Sequence, residues 1–531
     1  MTTAATGREA MTAIPETLAD VPRLRAQASP MDVAIFCLGR STTYRELDQR
    51  SSRVANGILA AECGPADRIA YLGKNSDSYF EILFGGAKAR VATVAVNWRL
   101  APPEVEYVLA DSGSSILFVD PDLAPMVESM RDRLTALKRV VVLGPGGAGG
   151  DYAVWRDAQG TEDPRLGVEP ADAVLQMYSS GTTGRPKGVE IPQKAFAPLR
   201  RAERELGPWA TVGAGDSSLI VMPIFHMLGT GLALTALFGG ARCVVLPAAD
   251  AGETLRLISA ERVTHLIVAP AFLSLLLEHR GCAETDFSSL RVITYAGSPI
   301  SPSLLERAQA VFRCDFLQYY GATETTGEVT CLAPEDHRGA RPERLRSCGR
   351  PIPGVELRII GSDGRELAAG EVGEIQVRAP FLMNGYWNLP EATAEAIVQG
   401  WYRTADAAFR DEEGYVTIVD RLKDMIVSGG ENIYTAEVEA VISTDSAVAE
   451  VAVIGVPDPK WGEAVKAIVV PKPGAECDAL AILDRLRGRL AGYKIPKAID
   501  FVDALPRNPS GKVLKSALRA PYWKGHDRGV A

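Results

Sequence analysis

Short apolar runs recur between helical stretches through most of this chain, and that rhythm restricts the fold more than any other feature. From Val174 to about Tyr320 the runs Leu219–Met222, Cys243–Leu246, His265–Val268 and Val292–Tyr295 alternate with helical patterns such as Ala251–Glu261. Short apolar runs without polar alternation suit strands buried on both faces, and the βα order implies a doubly wound α/β body. Residues 32–145 show the same alternation. Thr43 is the expected N-cap of a helix, and Arg68–Leu72 and Ser115–Val119 read as buried strands. The glycine-rich run between Leu143 and Asp151 reads as a flexible surface loop. From about Ser347 to Val419 the pattern turns β-rich, with turns at Ser362-Asp363-Gly364 and at Asp411–Gly414. After Asp424, helix Thr435–Ile442, strands Val451–Val456 and Ala467–Val470, and helix Ala479–Leu490 make a small α+β unit.

At 531 residues the chain exceeds what one core holds, so more than one domain is expected. A formal net charge of −9 and a pI near 5.4 exclude a net basic footprint for nucleic acid or an anionic membrane. The longest apolar runs, around Gly231–Phe238, are too short and glycine-broken for a transmembrane segment. Met1 to Asp20 carries Glu9, Glu16 and Asp20 and lacks the apolar core of a secretory signal; its first ten residues read as a loose tail. Eight scattered cysteines without a CxxC pair fit a reducing cytoplasmic setting. Five histidines without HExxH or a cysteine partner argue against zinc.

Five stretches carry candidate chemistry. Tyr178 to Val189 places Ser179, Ser180, Gly181, Thr182, Thr183 and Gly184 before Arg185 and Lys187, a pattern of hydroxyls, close-approach backbone and cations that suits phosphate oxygens. No Gly-Lys-Ser/Thr follows, so it is not a Walker A loop. Gln318 to Glu324 follows an apolar run, where ligands gather in α/β sheets, and offers Glu324 as a carboxylate for Mg2+. Ala296-Gly297-Ser298 is a small-residue strand end open to a flat ring. Trp401–Asp406 and Val419–Asp424 supply Asp406 and Arg421. Val427–Asn432 holds Ser428, Gly429 and Gly430, and Asn508–Lys512 presents one lysine on a Pro/Gly-rich loop. Taken singly, these stretches also fit a surface turn, a helix start or a solvated charge cluster.

In combination and order, Ser179–Lys187, Tyr320–Glu324, Tyr402–Asp406, Arg421–Asn432 and Asn508–Lys512 resemble the adenylate-forming superfamily of acyl-CoA synthetases, aryl-CoA ligases, luciferases and adenylation domains. The likeness runs from about Leu24 to Tyr522. It is nearest to stand-alone acyl- and aryl-CoA ligases, on Asp420 to Ile426 and Ser428 to Asn432. The fold this implies is a large N-terminal domain (1–421) of two α/β sheet subdomains plus a distorted β-barrel, followed by a small mobile α+β C-terminal domain (422–531). The activity it implies is acyl-AMP formation from ATP and a carboxylic acid, then thioester formation with coenzyme A.

By that resemblance Thr182, Thr183 and neighbouring glycines cradle phosphates with Lys187 in support, Glu324 ligates Mg2+, and Thr323 touches the α-phosphate. Ser298 and Tyr320 would frame adenine, with Gly321 also in the ATP/AMP site, and Asp406 and Arg421 would bind the ribose hydroxyls. Lys512 would bridge carboxylate and α-phosphate during adenylation. Lys423 would be the hinge, and Ser428, Gly429, Gly430 and Trp461 would serve coenzyme A. His226 stands where relatives place an aromatic or histidine beside the bound carboxylate, and where amino-acid-activating relatives carry Asp. An apolar fatty or aryl acid is therefore expected, with Phe225, Met227, Leu228 and Leu232 nearby. Thr435 replaces a usual proline and Ala405 a usual glycine. Competing readings are a ligase that loads a carrier protein, a luciferase-like oxygenase and a non-catalytic nucleotide-binding regulator. Homodimers are common among such relatives.

Overall fold

The computed structural model describes residues 14–147, 149–179, 185–338, 344–421, 424–428, 431–487, 489–507 and 513–524. Its contacts divide the chain into two compact units, Met1–Glu356 with Val377–Tyr402, and Leu357–Gln376 with Arg403–Ala531.

Two sheets organise the first unit. In the nine-stranded one, Asp315–Ala322, Val292–Ala296, His265–Val268, Ser217–Ile220, Arg242–Val245 and Val33–Cys37 run parallel side by side. Antiparallel strands Gly327–Leu332, then Arg350–Pro351, extend one edge, and Arg40–Thr43 extends the other. In the seven-stranded sheet, Ala173–Ser179, Ala92–Val96, Arg68–Leu72, Ile116–Val119 and Arg139–Val142 are parallel, with antiparallel Lys187–Pro192 and Gly385–Tyr386 beyond Ala173–Ser179. Every residue of Arg68–Leu72, Ala92–Val96 and Ile116–Val119 is buried, the double burial that short uniform apolar runs require. The helix expected after Thr43 is Tyr44–Ala60. Its capping box is complete: the Thr43 hydroxyl accepts the Glu46 N–H, and the Glu46 carboxylate accepts the Thr43 N–H at 2.8 Å.

One reading from sequence fails here. The glycine run after Leu143 is a packed turn rather than a loose surface loop. Leu143 pairs with Gly150, helix Gly150–Asp157 starts inside the run, and Gly147 is buried. Gly147 has φ 84°, and a Cβ there would meet Ser76 Cβ at 2.4 Å. Glycine permits this close approach, whereas composition alone reads it as freedom.

In the second unit, strands Ile426–Ser428, Gly462–Pro471 and Val448–Asp458 pair in order, Glu431–Ile433 pairs with Ile426–Ser428, and Ala498–Phe501 runs parallel to Gly462–Pro471. Helices Thr435–Ile442 and Ala479–Leu486 cover a core of Ile426, Ile433, Val438, Val453, Val465 and Leu486. Strands Glu356–Ile360, Gly373–Arg378, Trp401–Arg410 and Val416–Arg421 belong to a further sheet. The chain is thus mixed α/β, a large N-terminal body of sheets followed by a smaller C-terminal domain. Among the described residues no helix is long and apolar enough to cross a membrane.

Candidate active site

Two paired strands flank the hydroxyl-rich stretch. Ala173–Ser179 and Lys187–Pro192 pair antiparallel with Ser179 opposite Lys187, at the carboxyl end of a parallel-sheet strand. Ser180, Gly181, Thr182, Thr183 and Gly184 lie outside the described residues. The returning arm is fixed by Tyr107, whose hydroxyl donates to the Pro186 carbonyl at 3.1 Å and whose ring lies 5.2 Å from the Arg185 guanidinium. The Lys187 ammonium sits 4.8 Å from the centre of the Tyr386 ring.

Glu324 meets this strand pair. Its Oε1 accepts two hydrogen bonds, from Ser179 Oγ and from the Tyr386 hydroxyl, each 3.1 Å long. Both donors reach the same oxygen, Oε1. Burial, with the neighbouring carboxylate of Glu324, raises the Tyr386 phenol above its ordinary pKa, so it stays a donor at neutral pH. The turn carrying Glu324 is rigid. The Thr325 hydroxyl accepts the Ala322 N–H at 2.9 Å and donates to the Gly327 carbonyl at 2.6 Å. The Thr326 hydroxyl donates to Phe381 O at 2.6 Å, and the Met383 N–H donates to Glu324 O at 2.9 Å. Gly321 is obligatory, since a Cβ would lie 1.7 Å from the Gly327 carbonyl oxygen. Thr323 opens the same turn and is half-buried.

The same end of the nine-stranded sheet carries Ser298, Tyr320 and His226. Ala296 is opposite Tyr319 in register, so Ser298 and Tyr320 follow on adjacent strands, both half-buried. His226 ends the connection after Ser217–Ile220 and caps helix Met227–Gly239, its Nδ1 accepting the Leu228 N–H at 3.3 Å. That bond assigns the proton to Nε2. Burial lowers its pKa to about 4, so at neutral pH it is an uncharged donor. Asn75 holds this connection in place. Its Nδ2 donates to Met222 O and Leu246 O, each at 3.0 Å, and its Oδ1 accepts the Ile224 N–H at 3.0 Å.

In the second unit Asp406 and Arg421 are opposite in register and 3.2 Å apart. Ala405 has φ 57°, left-handed backbone that explains why glycine is usual there. Thr435 also departs from pattern with effect: its backbone N–H and its hydroxyl (2.7 Å) both donate to Asp420 Oδ2, and a proline could supply neither. Ser428 is buried and opposite Gly462, next to Trp461. Trp461 is 42% exposed, not packed away, with the ammonium groups of Lys460 and Lys497 at 4.6 and 5.5 Å from its ring. Lys423, Gly429, Gly430 and Lys512 lie outside the described residues.

Tyr386, Asn75 and the Thr435–Asp420 bond carry no sequence signal. Gly385-Tyr386 is a two-residue strand whose only assignment comes from pairing with Val189 and Glu190. Among the described residues no three His, Cys, Asp or Glu side chains group as a metal site. A hard cation held by one carboxylate therefore needs the oxygens of a phosphate substrate, which is the ordinary manner of Mg2+.

The family described as AMP-binding enzyme matches residues 23–387, and the AMP-binding enzyme C-terminal domain matches residues 437–512. The chain is 41% identical over 517 residues, 97% of its length and 98% of the relative's, to the fatty acid–[acyl-carrier-protein] ligase ScoC of Streptomyces coeruleorubidus. It is 39% identical to a feruloyl-CoA synthase of an Amycolatopsis species, over 94% of this chain and 98% of that one. Among solved structures it resembles ATP-bound MatB from Rhodopseudomonas palustris, with a TM-score of 0.87 and 30% identity over 96% of this chain and 100% of that one.

Proposed function

We infer the reaction from one premise: the chain belongs to the AMP-binding enzyme family. It is an ATP-dependent carboxylic acid–CoA ligase, an acid–thiol ligase working through an acyl-adenylate. A carboxylate oxygen of the acid attacks the α-phosphorus of ATP and pyrophosphate leaves. The thiol sulfur of coenzyme A then attacks the acyl carbon, AMP leaves and the thiol proton is released.

The observation that carries the site assignment is the Glu324 carboxylate, held by Ser179 and Tyr386 at the base of the hydroxyl-rich stretch. Glu324 would hold Mg2+, and the ion would supply charge neutralisation to the phosphates. Ser179 and the segment from Ser180 to Gly184 would bind phosphate oxygens, with Lys187 in support and Thr323 beside the α-phosphate. Ser298 and Tyr320 would frame the adenine, with Gly321 also in the ATP/AMP site and Asp406 and Arg421 on the ribose. His226, uncharged, would orient the acid by donating a hydrogen bond from Nε2 rather than by charge attraction. Trp461, exposed between two ammonium groups, is suited to stack a base that carries phosphates. Ser428, Gly429 and Gly430 would pass the thiol arm, and Lys423 would be the hinge between the domains 1–421 and 422–531.

The apolar residues after His226 favour a fatty or aryl acid. A second acceptor is favoured by one finding, the 41% identity to a ligase named for acyl-carrier protein. The scattered cysteines without a CxxC pair favour a cytoplasmic site of action. A homodimer is the expected assembly, which light scattering measures.

A panel of carboxylic acids scored for pyrophosphate release, with coenzyme A, with a phosphopantetheinylated carrier, or with neither, tests the reading. Thioester on coenzyme A supports it, thioester on the carrier alone transfers it to the second acceptor, and no ATP consumption with any acid ends it. In the same assay Lys512→Ala should lower acyl-AMP formation by about 10²–10³-fold and spare thioester formation from synthetic acyl-AMP. Equal loss in both half-reactions would remove Lys512 from the adenylation step.

A further inference from the structure

Helix Met227–Gly239 runs on from His226 with one stripe left open. Leu228, Gly231, Leu232 and Thr235 recur at i, i+3, i+4 and i+7 and are half-buried, whereas Thr230, Ala233, Leu234 and Leu237 are buried. The stripe starts beside Ser298, since a Cβ on Gly297 would lie 3.2 Å from Leu228 Cδ1. It borders open space. Among the described residues a Cβ added to Gly231 would meet the Met227 methyl alone, at 3.6 Å. The first three members of the stripe are apolar, and the fourth carries a hydroxyl. At about 1.5 Å per residue, Thr235 stands roughly 12 Å beyond the start of the helix.

That hydroxyl belongs to a buried polar cluster. The Arg200 guanidinium donates to it, and it donates to the Gly231 carbonyl at 3.0 Å. Arg200 Nη2 lies 3.1 Å from Glu203 Oε1 and 3.7 Å from Glu328 Oε1. Glu328 is opposite Gly321 in register, and Tyr319 shares a strand face with Gly321, so the cluster backs the strand that carries Tyr320. The charges of Glu328, Glu203 and Arg200 all act on the Tyr319 phenol, which burial holds protonated. Burial likewise raises Glu203 well above the ordinary carboxyl range, and its hydrogen bond with Glu328 places one proton between the two. Arg200, Glu203 and Glu328 are therefore neutral as a group.

Two buried atoms of this cluster find no hydrogen-bond partner among the described residues, Arg200 Nε and the Tyr319 hydroxyl. An unmet buried polar group costs about 1–3 kcal/mol, so two of them in one cluster beside an open stripe call for a ligand atom that meets them. A second carboxylate or an ammonium would bring net charge to a neutral, buried group. A hydroxyl brings none, and it both donates and accepts. We propose that Tyr319 and Arg200 recognise the far end of the acid, so that the substrate carries a hydroxyl where its apolar chain or ring ends. This rests on the ligase reading above and names the substrate class for it. An extended chain advances about 3.6 Å per three bonds, so about ten bonds cover the length from His226 to the cluster.

The test compares matched acids in acid-dependent pyrophosphate release by the full-length protein: 10-hydroxydecanoate against decanoate, and 4-hydroxycinnamate against cinnamate. The wild type should favour the hydroxylated member of at least one pair by about tenfold or more in kcat/KM, and the pair that shows it separates chain from ring. Tyr319→Phe should reduce that ratio about tenfold, mainly through the KM of the hydroxylated acid. It should also unfold at the same or a higher denaturant midpoint, because the hydroxyl it loses has no partner in the fold. Turnover confined to acids without a distal hydroxyl, a ratio near one in both wild-type pairs, or a ratio that Tyr319→Phe leaves unchanged would overturn the proposal. So would a lowered unfolding midpoint, which marks a hydroxyl that serves the fold. Protein that releases no pyrophosphate with any acid of the panel would instead sink the ligase reading.

Discussion

Tyr386→Phe removes one hydroxyl and nothing else from the Glu324 site. The phenyl ring remains over Lys187, so the cation–π contact at 4.8 Å survives. What goes is one of the two hydrogen bonds on Glu324 Oε1, each 3.1 Å long, together with the Tyr386 hydroxyl's hydrogen bond with Tyr402. Hydrogen bonds to charged groups contribute about 1.5–3 kcal/mol, and at 3.1 Å the lower end applies, because charge-assisted O–H···O bonds are usually shorter. Glu324 is 8% exposed, so water makes good little of the loss. About 1.5 kcal/mol corresponds to roughly tenfold in rate. The expected result is therefore about a tenfold fall in kcat/KM for acid-dependent pyrophosphate release, with the half-saturating Mg2+ concentration raised by up to the same factor. Thioester formation from synthetic acyl-AMP should stay near wild type. The assay is coupled pyrophosphate release across a Mg2+ titration, with the unfolding midpoint followed in parallel. Wild-type rate and wild-type Mg2+ dependence in Tyr386→Phe would refute the claim that this hydroxyl aims the carboxylate at the ion.

Asn75→Ala deletes three buried side-chain bonds and leaves Met222 O, Leu246 O and the Ile224 N–H unpaired. A loss of about 2–4 kcal/mol in denaturant unfolding is expected, together with a raised KM for the acid because the connection to His226 loosens. The His226 pKa of about 4 means the native state binds fewer protons there than the unfolded chain. Its contribution is thus complete above the ordinary histidine range near 6.5 and disappears as pH falls through about 4. Between pH 7 and 4, wild type should lose about 1–3 kcal/mol more than His226→Asn, read from denaturant midpoints at each pH. Matching pH profiles would contradict burial of a neutral imidazole.

Local chemistry was legible because its causes act over a few residues. Uniform burial wrote Arg68–Leu72 and Ile116–Val119 into short apolar runs, and Thr43 with Glu46 announced a helix start three residues long. Motif order put Glu324, Ser179 and Lys187 among the expected site residues, and the structure brings Glu324 to Ser179. Their contact spans 145 residues, and only the packing of two sheets into one unit could bring Ser179 Oγ to Glu324. Tyr386 reaches Glu324 from 62 residues away on a strand of two residues, and Asn75 holds Met222 from 147 away. No periodicity or turn rule extends that far. The glycine run after Leu143 shows the converse: composition permits many backbones, and contact with Ser76 selects one. Sequence thus specified which strands and turns would form, through preferences each segment carries alone. Which side chains complete the site was decided by sheet order and register, since hydrogen bonds between distant residues exist only once the strands that carry them are neighbours.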